Sequence, residues 1–228
     1  MNICIIPARG GSKRIPGKNI REFCGSPILV YSIRAAKKSG LFDRIIVSTD
    51  SEKIAEIALQ HGAEVPFLRP EKLSDDFATT ADVILHTLKF VQTEYGEAQY
   101  ACCIYATAPF LQAEYLAEGL EVLNASPSAN NAFSVTSYAF PVFRAQRINE
   151  KGFLEMQWPE YHLTRSQDLP ELYHDAGQFY WMRIDCFLDN PDLYANALPI
   201  KIPRYLVQDI DTEEDWIRAE LMYKALNP

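Results

Sequence analysis

No stretch of the 228-residue chain approaches the roughly 20 consecutive apolar residues of a bilayer-crossing helix, which argues against a membrane span. The opening Met-Asn-Ile-Cys-Ile-Ile-Pro-Ala-Arg-Gly-Gly lacks the basic, apolar and small-residue order of a signal peptide, so the mature chain is expected to start at Met1 in the cytoplasm. Cysteines are few and odd in number: Cys4, Cys24, Cys102, Cys103 and Cys186, with no pair at zinc-ligand spacing. They read as small buried hydrophobes in a reducing compartment rather than as metal or redox groups. Histidine is scarcer, and His61, His86 and His162 form no constellation. Internal repeats, low-complexity segments and flexible linkers are missing. Basic charge is in deficit overall: the net charge is −8 and the sequence pI about 5.1. That argues against general nucleic-acid binding. Locally the deficit reverses. No acidic residue precedes Glu22, whereas Arg9, Lys13, Arg14, Lys18 and Arg21 do. An acidic protein with an all-basic N-terminal segment is expected to have built an anion site there, since charges elsewhere are screened over roughly 8 Å.

What is present alternates. Residues 2–7 read as a buried strand, followed by a Gly/basic loop. Residues 27–39 read as a helix with Ser26 as N-cap and Pro27 at its first position. Residues 44–48 give a second strand, and Thr49 with Glu52 has capping-box spacing for a helix that Gly62 ends. Residues 63–68 give a short third strand, 79–94 a helix, 100–105 a fourth strand and 112–124 another helix. Continuous apolar strands between helices predict an α/β fold with a mostly parallel sheet covered on both faces. A strand over 131–138 precedes a stretch, 139–172, rich in Pro and aromatics and without helical period. It reads as an inserted arm for dimerisation, with Phe140, Phe143, Trp158 and Tyr161 lacking a place in the sheet core. Strand signals return at Gln178–Ile184 and about 198–207, and a helix closes the chain from about Thr212. One domain over 1–228 with an insertion is the expected organisation.

Two motifs carry chemistry. Pro7–Asn19 follows a strand at the carboxyl edge of the sheet, where open α/β sheets bind ligands. It is neither G-x-x-x-x-G-K-[ST] nor G-x-G-x-x-G. Gly10 and Gly11 allow close backbone approach to phosphate. Arg9 offers a planar fork, Lys13 and Lys18 point charges, and Ser12 a hydroxyl. The second motif is Asp209-Ile210-Asp211. If extended, its carboxylates share a face with Cα atoms about 6.5–7 Å apart, suited to Mg²⁺ or Mn²⁺.

The loop resembles the nucleotide-binding signature of the CMP-sialic acid synthetase family of cytidylyltransferases. Segments matching in the same order are Ile46–Asp50, Arg69–Ser74, Tyr105–Phe110, His174–Trp181 and Asp209–Thr212, so the resemblance covers nearly the whole chain. Within the family the chain looks most like pseudaminic acid cytidylyltransferases, on the Tyr105–Phe110 and His174–Trp181 segments. The resemblance implies a Rossmann-like fold of nucleotide-diphospho-sugar transferase type, a homodimer, and transfer of CMP from CTP to the C2 hydroxyl of an acidic nine-carbon sugar. It implies Ala8, Arg9, Gly10, Gly11, Ser12, Lys13, Lys18 and Asn19 at the triphosphate. Arg69, Ala78, Thr79 and Thr80 would surround cytosine, and Asp209 and Asp211 would hold metal. Arg9, Lys18 and the two aspartates would carry catalysis.

Tyr105 and Thr107, at the exit of the fourth strand, and Gln178, Phe179 and Tyr180 are expected at the sugar. Many relatives have glutamine at the position of Tyr105 and a smaller segment at Gln178–Tyr180, which suggests a changed sugar pocket. Arg144 and Arg165 are candidates for the sugar carboxylate or for dimer contacts. Asp50 reads as part of a helix start and His174 as structural. The same chemistry on N-acetylneuraminate, legionaminate or 3-deoxy-manno-octulosonate, or a non-catalytic nucleotide-sugar-binding regulator, are the alternatives.

Overall fold

A computed structural model describes residues 1–227. The strands are β1 (Asn2–Pro7), β2 (Glu22–Phe23), β3 (Ser26–Pro27), β4 (Arg44–Ser48), β5 (Tyr100–Ile104), β6 (Asn131–Ser137), β7 (Gln146–Ile148), β8 (Leu154–Met156), β9 (Tyr173–Arg183) and β10 (Ala197–Lys201). The α-helices are α1 (Ile28–Ser39), α2 (Glu52–Gln60), α3 (Thr80–Glu94), α4 (Ala113–Ala125), α5 (Ile184–Asp189) and α6 (Glu213–Leu226). Six strands form one sheet in the order β10-β6-β9-β5-β1-β4. All neighbours are parallel except β9, which is antiparallel to both β5 and β6.

Alternation explains why helices cover both faces. Cys4, Ile6, Cys102 and Ile104 pack with residues of α1, α2, α4 and α6; Ile3, Ile5, Ala101 and Cys103 pack with α3 and α5. Both sides of Ile3–Ile6 in β1 and of β5 are thus buried, so these stretches are apolar without a break. Each fully buried Ile contributes about 1.5–3 kcal/mol.

Several local expectations change. Pro27 occupies the N-cap of α1 and Ser26 belongs to the short β2–β3 pair. Ser51, not Thr49, caps α2; the Thr49 hydroxyl instead accepts from the Ser51 amide. Residues 63–68 do not form a strand: only the isolated bridges Ile46–Glu64 and Thr49–Leu68 join them to the sheet edge. The capping box lies at α3, between Thr79 and Asp82.

Residues 138–172 leave the sheet between two strands that pair directly, with Ser137 opposite Tyr173. They hold the β7–β8 hairpin and a small aromatic cluster in which Phe143 packs on Trp158 and Tyr161, centroids 5.6 and 4.7 Å away. Phe140 and Leu163 stay 83% and 90% exposed, so this segment does not bury all of its own apolar surface.

Candidate active site

The loop after β1 starts where β1 and β4 run side by side: the Ala8 amide donates to the Ser48 carbonyl at 2.9 Å. Its backbone is held from several directions. The Gly10 amide donates to Asp50 Oδ1 at 2.8 Å, and a Cβ at Gly10 would stand only 3.1 Å from that of Ser51. Nothing lies within 4 Å of a Cβ at Gly11. Ile15 is fully buried and pins the middle of the loop. Gly17 turns the chain at φ 64°, a conformation that costs glycine nothing. Asn19 then donates to the Arg9 carbonyl at 2.9 Å and closes the loop on itself.

Every cation before Glu22 meets a carboxylate. Arg9 reaches Asp76 at 3.0 Å, and Lys13 pairs with the other oxygen of the same group. Arg14 reaches Asp211 at 2.8 Å, Lys18 lies 3.5 Å from its second oxygen, and Arg21 reaches Glu213 at 2.6 Å. Lys18 also donates to the Ile210 carbonyl at 2.6 Å. The basic loop and the Asp209–Asp211 segment, almost 200 residues apart, thus form one site at the sheet edge.

Beside the loop is a cleft of about 230 Å³ whose lining includes Arg9, Asn19, Arg69, Ala78, Thr79 and Thr80. Arg69 is 6% exposed and donates to the Ser48 carbonyl at 2.7 Å and to the Leu73 carbonyl at 3.2 Å, leaving its buried Nε unpartnered. Burial lowers its pKa from the usual arginine value, with Asp50 acting in the opposite sense. Asp75 Oδ1 accepts from the Phe77 and Ala78 amides at 2.9 and 2.8 Å and shapes the turn into α3.

Asp209 and Asp211 sit just before α6, whose N-terminus is fixed by the Thr212–Asp215 capping box. Desolvation raises the Asp209 carboxyl above its ordinary value, Asp211 adds to this by repulsion, and Lys18 works against both. The residue nevertheless keeps an exposed edge open to a ligand. No group of three or more His, Cys, Asp or Glu is placed to hold a metal among the described residues. Magnesium does not require one: it is commonly held by one or two carboxylates together with substrate phosphates and water. The two Asp211 oxygens face Arg14 and Lys18, and Asp209 is the exposed member of the pair.

A second cleft, of about 580 Å³, includes Tyr105, His174, Asp175, Tyr180, Arg204 and Asp209 in its lining. Asp175 organises it. Its carboxylate accepts from the Tyr180 hydroxyl at 2.7 Å, the Tyr194 hydroxyl at 3.0 Å and the Gly177 amide at 2.7 Å. Burial raises the pKa of Tyr105 and Tyr180, and that of Tyr194 to about 12, so all three remain donors near neutrality. The Tyr105 ring tilts against Tyr180 at 5.2 Å, and its hydroxyl is 3.4 Å from that of Thr80 in the first cleft. Tyr105 of the second cleft thus reaches Thr80 of the first. A larger cavity of about 670 Å³ lies between α1 and α6, where none of the expected site residues lines it. Chemistry, not volume, identifies the site.

Residues 3–213 match the family model described as cytidylyltransferase. The chain belongs to this family. It is a nucleotidyltransferase that uses CTP, and its α/β fold is the one expected. A pseudaminic acid cytidylyltransferase of Campylobacter jejuni is 41% identical over 98% of this chain and 97% of its own. A CMP-N,N'-diacetyllegionaminic acid synthase of Legionella pneumophila is 32% identical over 96% and 94%. Among solved structures, CMP:2-keto-3-deoxy-manno-octonic acid synthetase complexed with CTP superposes with a TM-score of 0.72, at 16% identity and 99% coverage of both chains. That likeness concerns the fold.

For this cytidylyltransferase the expected nucleotide residues converge, with Arg9, Lys13, Lys18, Asn19, Arg69 and Ala78–Thr80 around one loop and cleft. The sugar set divides. Tyr105 and Tyr180 line the second cleft. Phe179 does not: it is fully buried in the core, where a Cβ at Gly119 would lie 3.0 Å from its ring, because neighbours along a strand point to opposite faces. Gln178 is 3% exposed and donates to the Leu206 carbonyl at 2.6 Å. Thr107 is half-buried. Arg165 pairs with Asp168 at 2.6 Å and Arg144 donates to the Thr164 carbonyl, both on the exposed insertion. Residues not singled out from sequence are Asp76, Asp175, Tyr194, Arg204 and Arg218. Asp175 stands inside the His174–Trp181 segment chosen for its resemblance, though nothing there shows its bond to Tyr180; Asp76 falls between Arg69–Ser74 and Ala78–Thr80 and carried no such signal.

Proposed function

We propose that the chain transfers CMP from CTP to the C2 hydroxyl of pseudaminic acid and releases pyrophosphate. The carrying observation is the joining of the basic loop to Asp209–Asp211 through Lys18 and Arg14, beside two clefts linked by the contact between the Thr80 hydroxyl of the first and the Tyr105 hydroxyl of the second. The choice of sugar rests on the 41% identity to the Campylobacter jejuni enzyme.

In this reading Arg69 and the Ala78–Thr80 turn hold the cytosine. Arg9, Lys13 and Lys18 hold the triphosphate and stabilise the charge that grows on the departing pyrophosphate. Asp209 and Asp211 would hold a divalent cation, Mg²⁺ or Mn²⁺, which supplies Lewis-acid polarisation of phosphate oxygen. Asp175 fixes the hydroxyl directions of Tyr180 and Tyr194 and so shapes the sugar cleft. The sugar hydroxyl is itself the nucleophile, so no covalent intermediate with the protein is needed. We further infer one domain, a homodimer held in part by residues 139–172 through side chains such as Phe140 and Leu163, and a cytoplasmic location.

The test is pyrophosphate release from CTP with matched pseudaminic acid, N,N'-diacetyllegionaminic acid and N-acetylneuraminic acid. Pseudaminic acid is expected to give the highest kcat/KM. Equal or reversed efficiencies reject the sugar assignment, and no turnover with any acidic sugar rejects the catalytic one.

A further inference from the structure

The loop that carries Asp76 is secured by charge rather than by packing. Phe77, its one large apolar side chain, is 90% exposed. What fastens the loop to the rest of the site is a pair of ionic contacts: Arg9 Nη1 to Asp76 Oδ1 at 3.0 Å, and Lys13 Nζ to Asp76 Oδ2. Arg9 adds a bond to the Asp75 carbonyl at 2.7 Å from the same nitrogen. Both carboxylate oxygens of Asp76 are therefore spent on the two cations that the proposed function gives to the triphosphate. Carboxylate and phosphate oxygens compete for the same donors, and these cations cannot satisfy both fully. The depressed carboxyl of Asp76, caused first by its hydrogen bond from Lys13, fits this pairing.

The ends of the loop are fixed. Arg69 bonds the Leu73 carbonyl on one side, and the Thr79–Asp82 capping box holds the other. Asp75 Oδ1 keeps the turn between them through the Phe77 and Ala78 amides. Release of Asp76 therefore frees a short tethered segment that adjoins the base cleft, without unfolding either neighbour.

We propose that Asp76 is a positioning residue that competes with the triphosphate for Arg9 and Lys13. It weakens CTP binding, keeps both cations aimed at the site, and reclaims them as pyrophosphate leaves. This rests on the reading of the Pro7–Asn19 loop as the triphosphate site. Both pairs are partly exposed, and exposed pairs are individually weak.

The experiment compares wild type, Asp76→Asn and Asp76→Glu by calorimetric titration with CTP and with inorganic pyrophosphate, in chelating buffer and again with magnesium. Steady-state kinetics accompany it. Asp76→Asn is expected to bind both ligands about threefold to tenfold more tightly. Its KM for CTP should fall, its inhibition by pyrophosphate should strengthen, and its KM for the sugar should stay unchanged. Asp76→Glu should restore wild-type affinity for both ligands. Unchanged or weaker CTP and pyrophosphate binding by Asp76→Asn, with wild-type binding intact, overturns the proposal alone. Failure of the wild type to bind either ligand overturns the triphosphate reading and the proposal with it.

Discussion

Replacing Lys18 by methionine keeps the length of the side chain and removes its charge. Lys18 donates to the Ile210 carbonyl at 2.6 Å and lies 3.5 Å from Asp211, with its side chain 20% exposed. A hydrogen bond from a charged donor contributes about 1.5–3 kcal/mol, and the lower part of that range applies where water can reach the abandoned carbonyl. The pair with Asp211 adds at most about 1 kcal/mol, because Asp211 is itself one-third exposed. A total near 2 kcal/mol lowers Tm by about 4–8 °C in a chain of this size. The catalytic loss is larger. The proposed function puts Lys18 beside the leaving pyrophosphate, and removing its charge there is expected to cost on the order of 10²–10³ in rate. The two effects separate at 25 °C, well below unfolding, where a rate loss reports the site and not the folded fraction. Pyrophosphate release and thermal unfolding should be measured on Lys18→Met and on Lys224→Met, whose lysine only pairs with Glu220 along α6. If Lys18→Met keeps kcat/KM within about threefold of wild type, the link between loop and aspartates has no catalytic role.

Gly119→Ala sets helix propensity against packing: the new Cβ would stand 2.7 Å from Trp181 and 3.0 Å from Phe179. Trp181 cannot move freely, being bonded to the Leu116 carbonyl at 2.9 Å and stacked on Phe42. Overpacking of about 1–3 kcal/mol should therefore exceed the gain of up to about 1 kcal/mol from replacing glycine, and Tm should fall; a rise would refute the packing. Excess chelator should abolish turnover and Mg²⁺ or Mn²⁺ restore it, while Asp211→Ala should retain its fold and lose about 10²-fold or more in rate. Light scattering should give a dimer mass, and charged replacements at Phe140 and Leu163 should shift it toward monomer. A monomeric wild type at assay concentration would contradict the arm's assigned role.

Elements buried on both faces were legible in the sequence. Ile3–Ile6 of β1 and all of β5 read as strand because each residue along them must be apolar, whichever way it points. The basic loop at the exit of β1 was legible because five cations precede the first acidic residue. Residues 63–68 misled because their composition suits a strand, whereas only two bridges form beyond the sheet edge. Asp175 was hidden by geometry. In a regular strand, residues 175 and 180 would face opposite sides. The irregularity in the β6–β9 pairing, where Phe133 opposes Tyr180 and Val135 opposes Asp175, brings the two onto one side and lets them bond. Local irregularity of this kind has a glycine as its trace, here Gly177 at φ 63°, but no periodicity. Phe179 failed for the converse reason. A resemblance spanning consecutive residues names both faces of a strand, and only one of them meets the cleft.

The net charge of −8 opposes the binding of an anionic nucleotide, and the local arrangement of charge answers it. Five cations of the N-terminal segment pair with three carboxylates, Asp76, Asp211 and Glu213, and Asp50 and Asp209 stand beside the same loop. Beyond roughly 8 Å the remaining negative charge is screened at physiological salt, so it governs solubility more than binding. Within that distance the loop decides. The same carboxylates explain how so many cations can lie together before a ligand arrives: uncompensated, they would repel one another and splay a loop that is buried only at Ala8 and Ile15. Their partners come from residue 76, in the lining of the first cleft, and from residues 211–213. The acidic residues thus hold the cations together, and of them Asp76 alone is proposed to be displaced by a phosphate.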